Sequence, residues 1–380
     1  MKLPAAASAT PVPISEQDRL GSIALDQWRG LALVLVLISH GFFFTDRVNG
    51  IGRVGVNLFF FISGILVFRS LSRTRAATAW ERSRSFWWRR LRRLYPAIIT
   101  YILAMLPLVW LLQRLPNLPP GSDFVSYLKA APLALIYGMN YFEGPMSLGH
   151  LWSLACEMQF YLLAPLIYLA GGATGRQRNL VFGILLALLA GLGMAQPFVG
   201  LGKYHFEFAV WPMMLGFCCE YQRAWFLRIS NRLVTWILRC SVAICGASLC
   251  IMLLGMEMKP LVVATGALLL APCLMAYLFG RPMLNLEKLR QFSSVQTLGL
   301  KSPPPRIFIW VLFAPICMFG QAMKWMGERT YSIYLWQQPF TLCNFLPEVL
   351  HPAGALVSVA VGGVWFHFFE RPFLSASRRK

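Results

Sequence analysis

The 380 residues are 57% hydrophobic and 13% charged, with a mean hydropathy of +0.57 and a formal charge of +20. Soluble domains average about 25% charged residues, so this chain has too few to cover a water-facing surface. Its apolar residues come in long blocks, not in the short alternating segments of a membrane β-barrel. Its arginines crowd a few inter-helix loops, which marks the cytoplasmic side rather than nucleic-acid binding. The expected fold class is all-α, a polytopic membrane helix bundle of about ten transmembrane helices.

Residues 1–22 are rich in Ala, Pro and Ser and carry Glu16, Asp18 and Arg19. No apolar core precedes a small-residue cleavage site, so the segment reads as a disordered cytoplasmic tail and not as a signal peptide. Residues 23–372 form the expected transmembrane domain, and 373–380 a basic cytoplasmic tail. Hydropathy predicts spans at about 24–44, 54–70, 94–112, 150–170, 180–198, 206–221, 233–254, 260–280, 330–348 and 354–370. Two further apolar pieces, at about 124–139 and 307–322, are expected to be re-entrant or interfacial, which keeps the number of crossings even.

Between the second and third spans lie Arg69, Arg73, Arg75, Arg82, Arg84, Arg89, Arg90, Arg92 and Arg93, opposed by Glu81 alone. That loop and both termini are therefore assigned to the cytoplasm. The nine cysteines sit almost entirely in apolar stretches and none is in a Cys-x-x-Cys pair. They are expected to pack as small hydrophobes, with no metal and no structural disulfide.

Ionisable residues inside a span usually face a cavity or a partner. The first span holds Arg29 and His40, eleven positions apart. That separation is about three helical turns, so both project from nearly one face, about 16 Å apart along the axis. Arg29 suits either snorkelling to lipid phosphate or holding an anionic group. His40 suits either interhelical packing or general-base work on a hydroxyl. On the fourth span, His150, Glu157 and Tyr161 share a face. Glu157 needs a partner at that depth, and an arginine or histidine of another helix is the expected one. His150 is expected near the outer mouth. The run Arg84 to Arg93, with Trp87 and Trp88 inside it, reads either as topology plus lipid-headgroup contact or as a phosphate dock.

Six segments in order resemble the acyltransferase 3 family. They are Leu25 to Gly30 followed by His40; Gly55 to Gly64; Arg89 to Pro96; His150 to Tyr161 with its Trp152-Ser153-Leu154 core; Gly327 to Pro339; and Glu370-Arg371-Pro372. Together they cover nearly the whole chain. The resemblance implies a multi-pass enzyme of the bacterial inner or plasma membrane. It implies transfer of an acyl group, usually acetyl, from cytoplasmic acetyl-CoA or another acyl-CoA to a hydroxyl of a glycan or other envelope or secreted molecule. No permanently bound cofactor is implied. The catalytic candidates are then His40 for proton transfer, Arg29, and Glu157 orienting a basic partner. The donor-binding candidates are Arg89, Arg90, Arg92 and Arg93, with Arg29 beside them. Ser63 and Ser153 would offer hydroxyls to an oxyanion if both face the same cavity.

One position departs from the family pattern. The usual Tyr-Leu-x-His-x-Pro reads here Tyr334-Leu335-Trp336-Gln337-Gln338-Pro339, and an amide is no proton acceptor. Many relatives carry a C-terminal esterase-like domain, and the expectation here is of a chain without one. Two rival readings are a transporter of an acyl donor or glycan that makes no bond, and a structural assembly subunit. The transporter suits buried ionisable groups but lacks an obvious broken-helix inverted repeat. The subunit leaves the aligned Arg29 and His40 unexplained.

The loop charges generate the first test. A cysteine placed by Arg75→Cys should react with a membrane-impermeant thiol reagent only after the cytoplasmic face is opened. Labelling from outside intact cells would overturn the orientation.

Overall fold

The computed structural model describes residues 15–41, 49–114 apart from 75 and 77, 123–199 apart from 173, 202, 204–229, 232–236, 239–240, 243, 259–283, 306–341 and 351–376. Every regular element among them is helical. In chain order these are α1 (Glu16–Gly41), α2 (Asn49–Arg73), α3 (Ala79–Leu112), α4 (Phe124–Leu135), α5 (Met146–Gly149), α6 (Leu151–Ala170), α7 (Gly175–Val199), α8 (Phe206–Ala209), α9 (Trp211–Tyr221), α10 (Arg223–Phe226), α11 (Lys259–Leu278), α12 (Arg306–Glu328), α13 (Thr330–Thr341), α14 (His351–Trp365), a π-helical segment (Phe366–Glu370) and α15 (Arg371–Ala376).

Six helices among the described residues are long and apolar enough to cross a membrane: Glu16–Gly41, Ile51–Arg73, Ala79–Leu111, Met146–Ala170, Gly175–Gln196 and Ala353–Leu374. The chain is thus a multi-pass α-helical bundle. Leu180, Ile184 and Leu188, at four-residue spacing on α7, are all exposed, as befits a helix whose outer face meets lipid tails.

Several expected boundaries move. Residues 16–22, expected to be tail, are the first turns of α1, and residues 373–376 continue α15. The expected span 206–221 is interrupted at Val210, where α8 ends and α9 begins with Pro212 in its first turn. The apolar piece at 124–139 yields only the twelve-residue α4, about 18 Å long, which is too short to cross. The piece at 307–322 lies within the 23-residue α12. Most of 233–254, and 342–348 of the ninth expected span, lie outside the described residues.

The largest revision concerns the basic run. It is not a loop but the first turns of α3, which starts at a capping box: Thr78 Oγ1 accepts from the Glu81 amide (3.1 Å) and Glu81 Oε2 from the Thr78 amide (3.4 Å). At 34 residues α3 is about 51 Å long, against a hydrocarbon core of about 30 Å. The excess length holds the arginines, so one continuous helix, with Pro96 and Pro107 inside it, carries charge out of the membrane and apolar side chains through it.

α1 is the central element, touching α2, α11, α12, α13 and α14. Without a hydrophobic drive between helices in lipid, close approach depends on small residues. At Gly30 a Cβ would collide with the Met323 carbonyl of α12, and at Gly64 with the Met213 carbonyl of α9. Thr330 and Tyr331 line the same cavity as Arg29, while Gln337 meets His40, so α13 runs alongside α1 in the same direction.

The π-helical segment brings the fully buried Glu370 to Arg93 of α3, with Nε to Oε1 at 3.6 Å, and to Ser332 Oγ of α13, which donates to Oε2 at 2.8 Å. Removing one partner of a buried pair typically costs about 3–5 kcal/mol, because the other charge stays uncompensated. Glu370→Ala should therefore strongly lower the thermal stability of the detergent-solubilised protein. Glu370→Gln, which still accepts from Ser332, should lose less. Equal, small losses from both would show that the pair contributes little.

Candidate active site

One stripe of α1 organises the site. Arg19, Ser22, Asp26, Arg29, Leu33, Val36 and His40 follow one another at intervals of three or four, the spacing of a single helix face. The polar members of that stripe fall in three layers.

The lowest layer is a recess of about 830 Å³. Arg19, Ser22 and Asp26 of α1 line it, with Arg69 and Arg73 of α2 and Arg89 of α3. Its edge is held by Asp18, which ion-pairs with Arg223 (2.9 Å), Arg73 (3.4 Å) and Arg69 (3.6 Å). Arg223 also meets Glu220 (3.8 Å), and Arg19, Arg69, Arg73 and Arg89 outnumber Asp18 and Asp26 around the recess, which leaves it net cationic. Arg89 donates to Thr74 Oγ1 at 2.7 Å.

One turn further along α1 is a cavity of about 50 Å³, lined by Arg29, Ser63, Ser153, Glu157 and Tyr334 among others. The Arg29 guanidinium feels the charges of Arg93, Asp26 and Glu157. Glu157 Oε1 accepts hydrogen bonds from Ser63 Oγ (2.6 Å) and from the Tyr161 hydroxyl. Arg90 lies over the Tyr161 ring, 4.6 Å from its centroid, and donates to the same hydroxyl at 3.5 Å. Ser153 Oγ and the Tyr334 hydroxyl are 2.7 Å apart.

The third layer holds His40. Its Nδ1 is 2.8 Å from Gln337 Oε1, and since an amide oxygen only accepts, Nδ1 carries a proton, which in the neutral ring leaves the lone pair on Nε2. The next residue does similar work: Gln338 Oε1 accepts from the His150 backbone N–H at 2.7 Å. His150 is buried, not at an outer mouth, and its Nε2 donates to the Leu335 carbonyl at 3.0 Å.

The sequence candidates therefore separate. Arg29 and Glu157 line one cavity, and His40 stands a layer above them on the same face as Arg29. Glu157 makes no direct ion pair among the described residues: Ser63 and Tyr161 donate to it, and Arg29 of α1 faces it across the cavity. Ser63 and Ser153 do share the cavity, but the Ser63 hydroxyl proton is committed to Glu157. The four arginines of the basic run do not form one dock. On a helix they point in different directions: Arg89 into the recess, Arg90 to Tyr161, Arg92 over Trp88 at 4.6 Å, and Arg93 to Glu370. Sequence reading missed Arg19, Arg69 and Arg73 as recess residues. The spacing of Arg69 and Arg73, four apart on α2, was the available signal.

The acyltransferase family, described as an acyltransferase domain, matches residues 22–368. The chain belongs to the acyltransferase 3 family. It is 27% identical to the peptidoglycan O-acetyltransferase OatA of Listeria monocytogenes serovar 1/2a, over 92% of this chain and 55% of that protein. It is 26% identical to YrhL of Bacillus subtilis (strain 168), provisionally named a peptidoglycan O-acetyltransferase, over 93% of this chain and 56% of the relative. A provisionally named O-acetyltransferase of Staphylococcus aureus (strain COL) is 35% identical, over 38% of this chain and 24% of its own length. The chain thus spans just over half the length of the first two. No solved structure matches it.

Proposed function

We propose that this acyltransferase 3 chain is a membrane O-acyltransferase that moves an acyl group, acetyl in the first instance, from a cytoplasmic acyl-CoA to a hydroxyl of an envelope glycan. The observation that carries the proposal is the α1 stripe, which links a cationic recess, a small polar cavity and a histidine with a free ring nitrogen. A nucleotide thioester has complementary parts: phosphates for the arginines and a long, thin arm ending at the reacting carbonyl. The names of the Listeria and Bacillus relatives support a peptidoglycan acceptor.

In this reading the phosphates of the donor rest on Arg19, Arg69, Arg73 and Arg89, and the arm passes Arg29. His40 Nε2 takes the proton of the acceptor hydroxyl as its oxygen attacks the thioester carbonyl. The new C–O bond forms, the C–S bond breaks, and the departing coenzyme A sulfur recovers the proton from His40. Glu157, accepting from Ser63 and Tyr161, faces Arg29 across the cavity and holds the cavity polar.

Two measurements test this. Arg73→Gln and Arg89→Gln should raise the KM for acetyl-CoA several-fold and flatten its dependence on salt, since a partly exposed phosphate site is screened. Arg92→Gln, whose charge is stacked on Trp88, should leave the KM unchanged. Equal effects at all three positions would reduce the recess to a general charge effect.

General-base catalysis contributes roughly 10²–10⁴-fold. His40→Ala and His40→Gln should each lose activity on that scale, with acetyl-CoA binding retained. Wild-type transfer of radiolabel from acetyl-CoA to envelope glycan by His40→Gln would remove His40 as the base. Label that crosses the membrane without bonding to an acceptor would favour the transporter.

A further inference from the structure

Gln337 stands where the family pattern has a histidine, and it is fully buried. Its position is anchored twice through its own carbonyl, which accepts from Thr341 Oγ1 (2.7 Å) and from Ser358 Oγ of α14 (3.4 Å). Its side-chain Oε1 faces His40 Nδ1 at 2.8 Å. Among the described residues its side-chain Nε2 has no hydrogen-bond partner, although it is shielded from solvent. Buried amide nitrogens are normally paired. One that is idle, on the same rigid amide that holds the candidate base, is placed to meet an oxygen that arrives with substrate.

We propose that Gln337 acts with both ends of its amide, Oε1 fixing the tautomer of His40 and Nε2 donating a hydrogen bond to the thioester oxygen as it becomes an oxyanion. The proposal rests on the reading of His40 as the base. As the acceptor O–H bond breaks toward His40 Nε2 and the C–O bond forms, the carbonyl π pair moves onto oxygen and is held by the Gln337 N–H. When the C–S bond breaks that pair returns, and the sulfur takes the proton from His40. A donor aimed at developing charge stabilises the transition state more than the ground state.

The same logic explains the departure from the family. A neutral imidazole also offers one acceptor nitrogen and one N–H donor. Glutamine therefore reproduces the hydrogen-bonding pattern of a neutral histidine without its proton affinity, and position 337 needs no acid–base chemistry. Of the other titratable groups of this layer, the Tyr334 hydroxyl is engaged with Ser153 and the His150 carbonyl and His150 Nε2 with the Leu335 carbonyl, while His150 Nδ1, also buried, has no hydrogen-bond partner among the described residues.

The test uses inverted membrane vesicles loaded with a peptidoglycan-type oligosaccharide as acceptor and supplied outside with radiolabelled acetyl-CoA across a range of pH. Gln337→His restores an acceptor and a donor, and its rate should stay within about fivefold of wild type. Gln337→Leu should lower the apparent kcat by roughly 10²–10³-fold with the KM for acetyl-CoA unchanged. Gln337→Glu keeps the acceptor for His40 but has no donor. Its plateau rate should fall, and the acid limb of its profile should move to higher pH, because a carboxylate beside imidazolium favours the protonated ring. Should Gln337→Leu fail to fold, the histidine and glutamate variants decide alone. A Gln337→Leu rate near wild type, or a Gln337→Glu profile with an unmoved acid limb, overturns the proposal. Wild-type activity in His40→Gln, run alongside, would instead locate the failure in the base assignment.

Discussion

An arginine and a histidine carried by one helix into hydrocarbon can stay there only if other helices bring them company. Each uncompensated polar group would otherwise exact its full desolvation penalty. That constraint accounts for much of the arrangement around α1. Helix α2 supplies Ser63, α6 supplies Glu157 and Ser153, and α13 supplies Tyr334 and Gln337. The glycines that let α12 and α9 press against their neighbours serve the same end, since side-chain hydrogen bonds reach only a few ångströms.

Much of the bundle could be read from residue order. Hydropathy locates most of the helices, and the 3.6-residue period puts Arg29 and His40 on one face. What could not be read was which helix faces which. Glu157 was expected to need a charge, yet Ser63, 94 positions away, and Tyr161, one turn along α6, meet its needs. Gln337 was visible as a departure, but its contact with His40 spans 297 positions. Pairings of that kind are set by three-dimensional packing, and one chain's sequence carries no local trace of them.

The basic run shows a different failure. A high density of arginine marks the cytoplasmic side, and from the sequence it reads as a loop. The start signal of a helix, threonine followed three residues later by glutamate, lay just upstream at Thr78 and Glu81. Once the run is helical, Arg89, Arg90, Arg92 and Arg93 each meet a different partner, so they do not gather on one ligand. The cationic site instead draws on α1, α2 and α3 together, and its strength depends on how those three helices stand, not on the number of arginines in any one of them.

The π-helical segment at Phe366–Glu370 has a consequence for how this end of the chain tolerates change. A π turn holds one residue more than an α turn, so the residues after it are rotated by about 100° relative to an uninterrupted α-helix. The segment thus works as a phase shift: it directs Glu370 into the protein while Arg371 and Phe373 remain exposed. Loss of one residue here would leave every side chain chemically intact and still turn the following face away from its partners. Besides the identity of Glu370, this stretch must therefore keep its length.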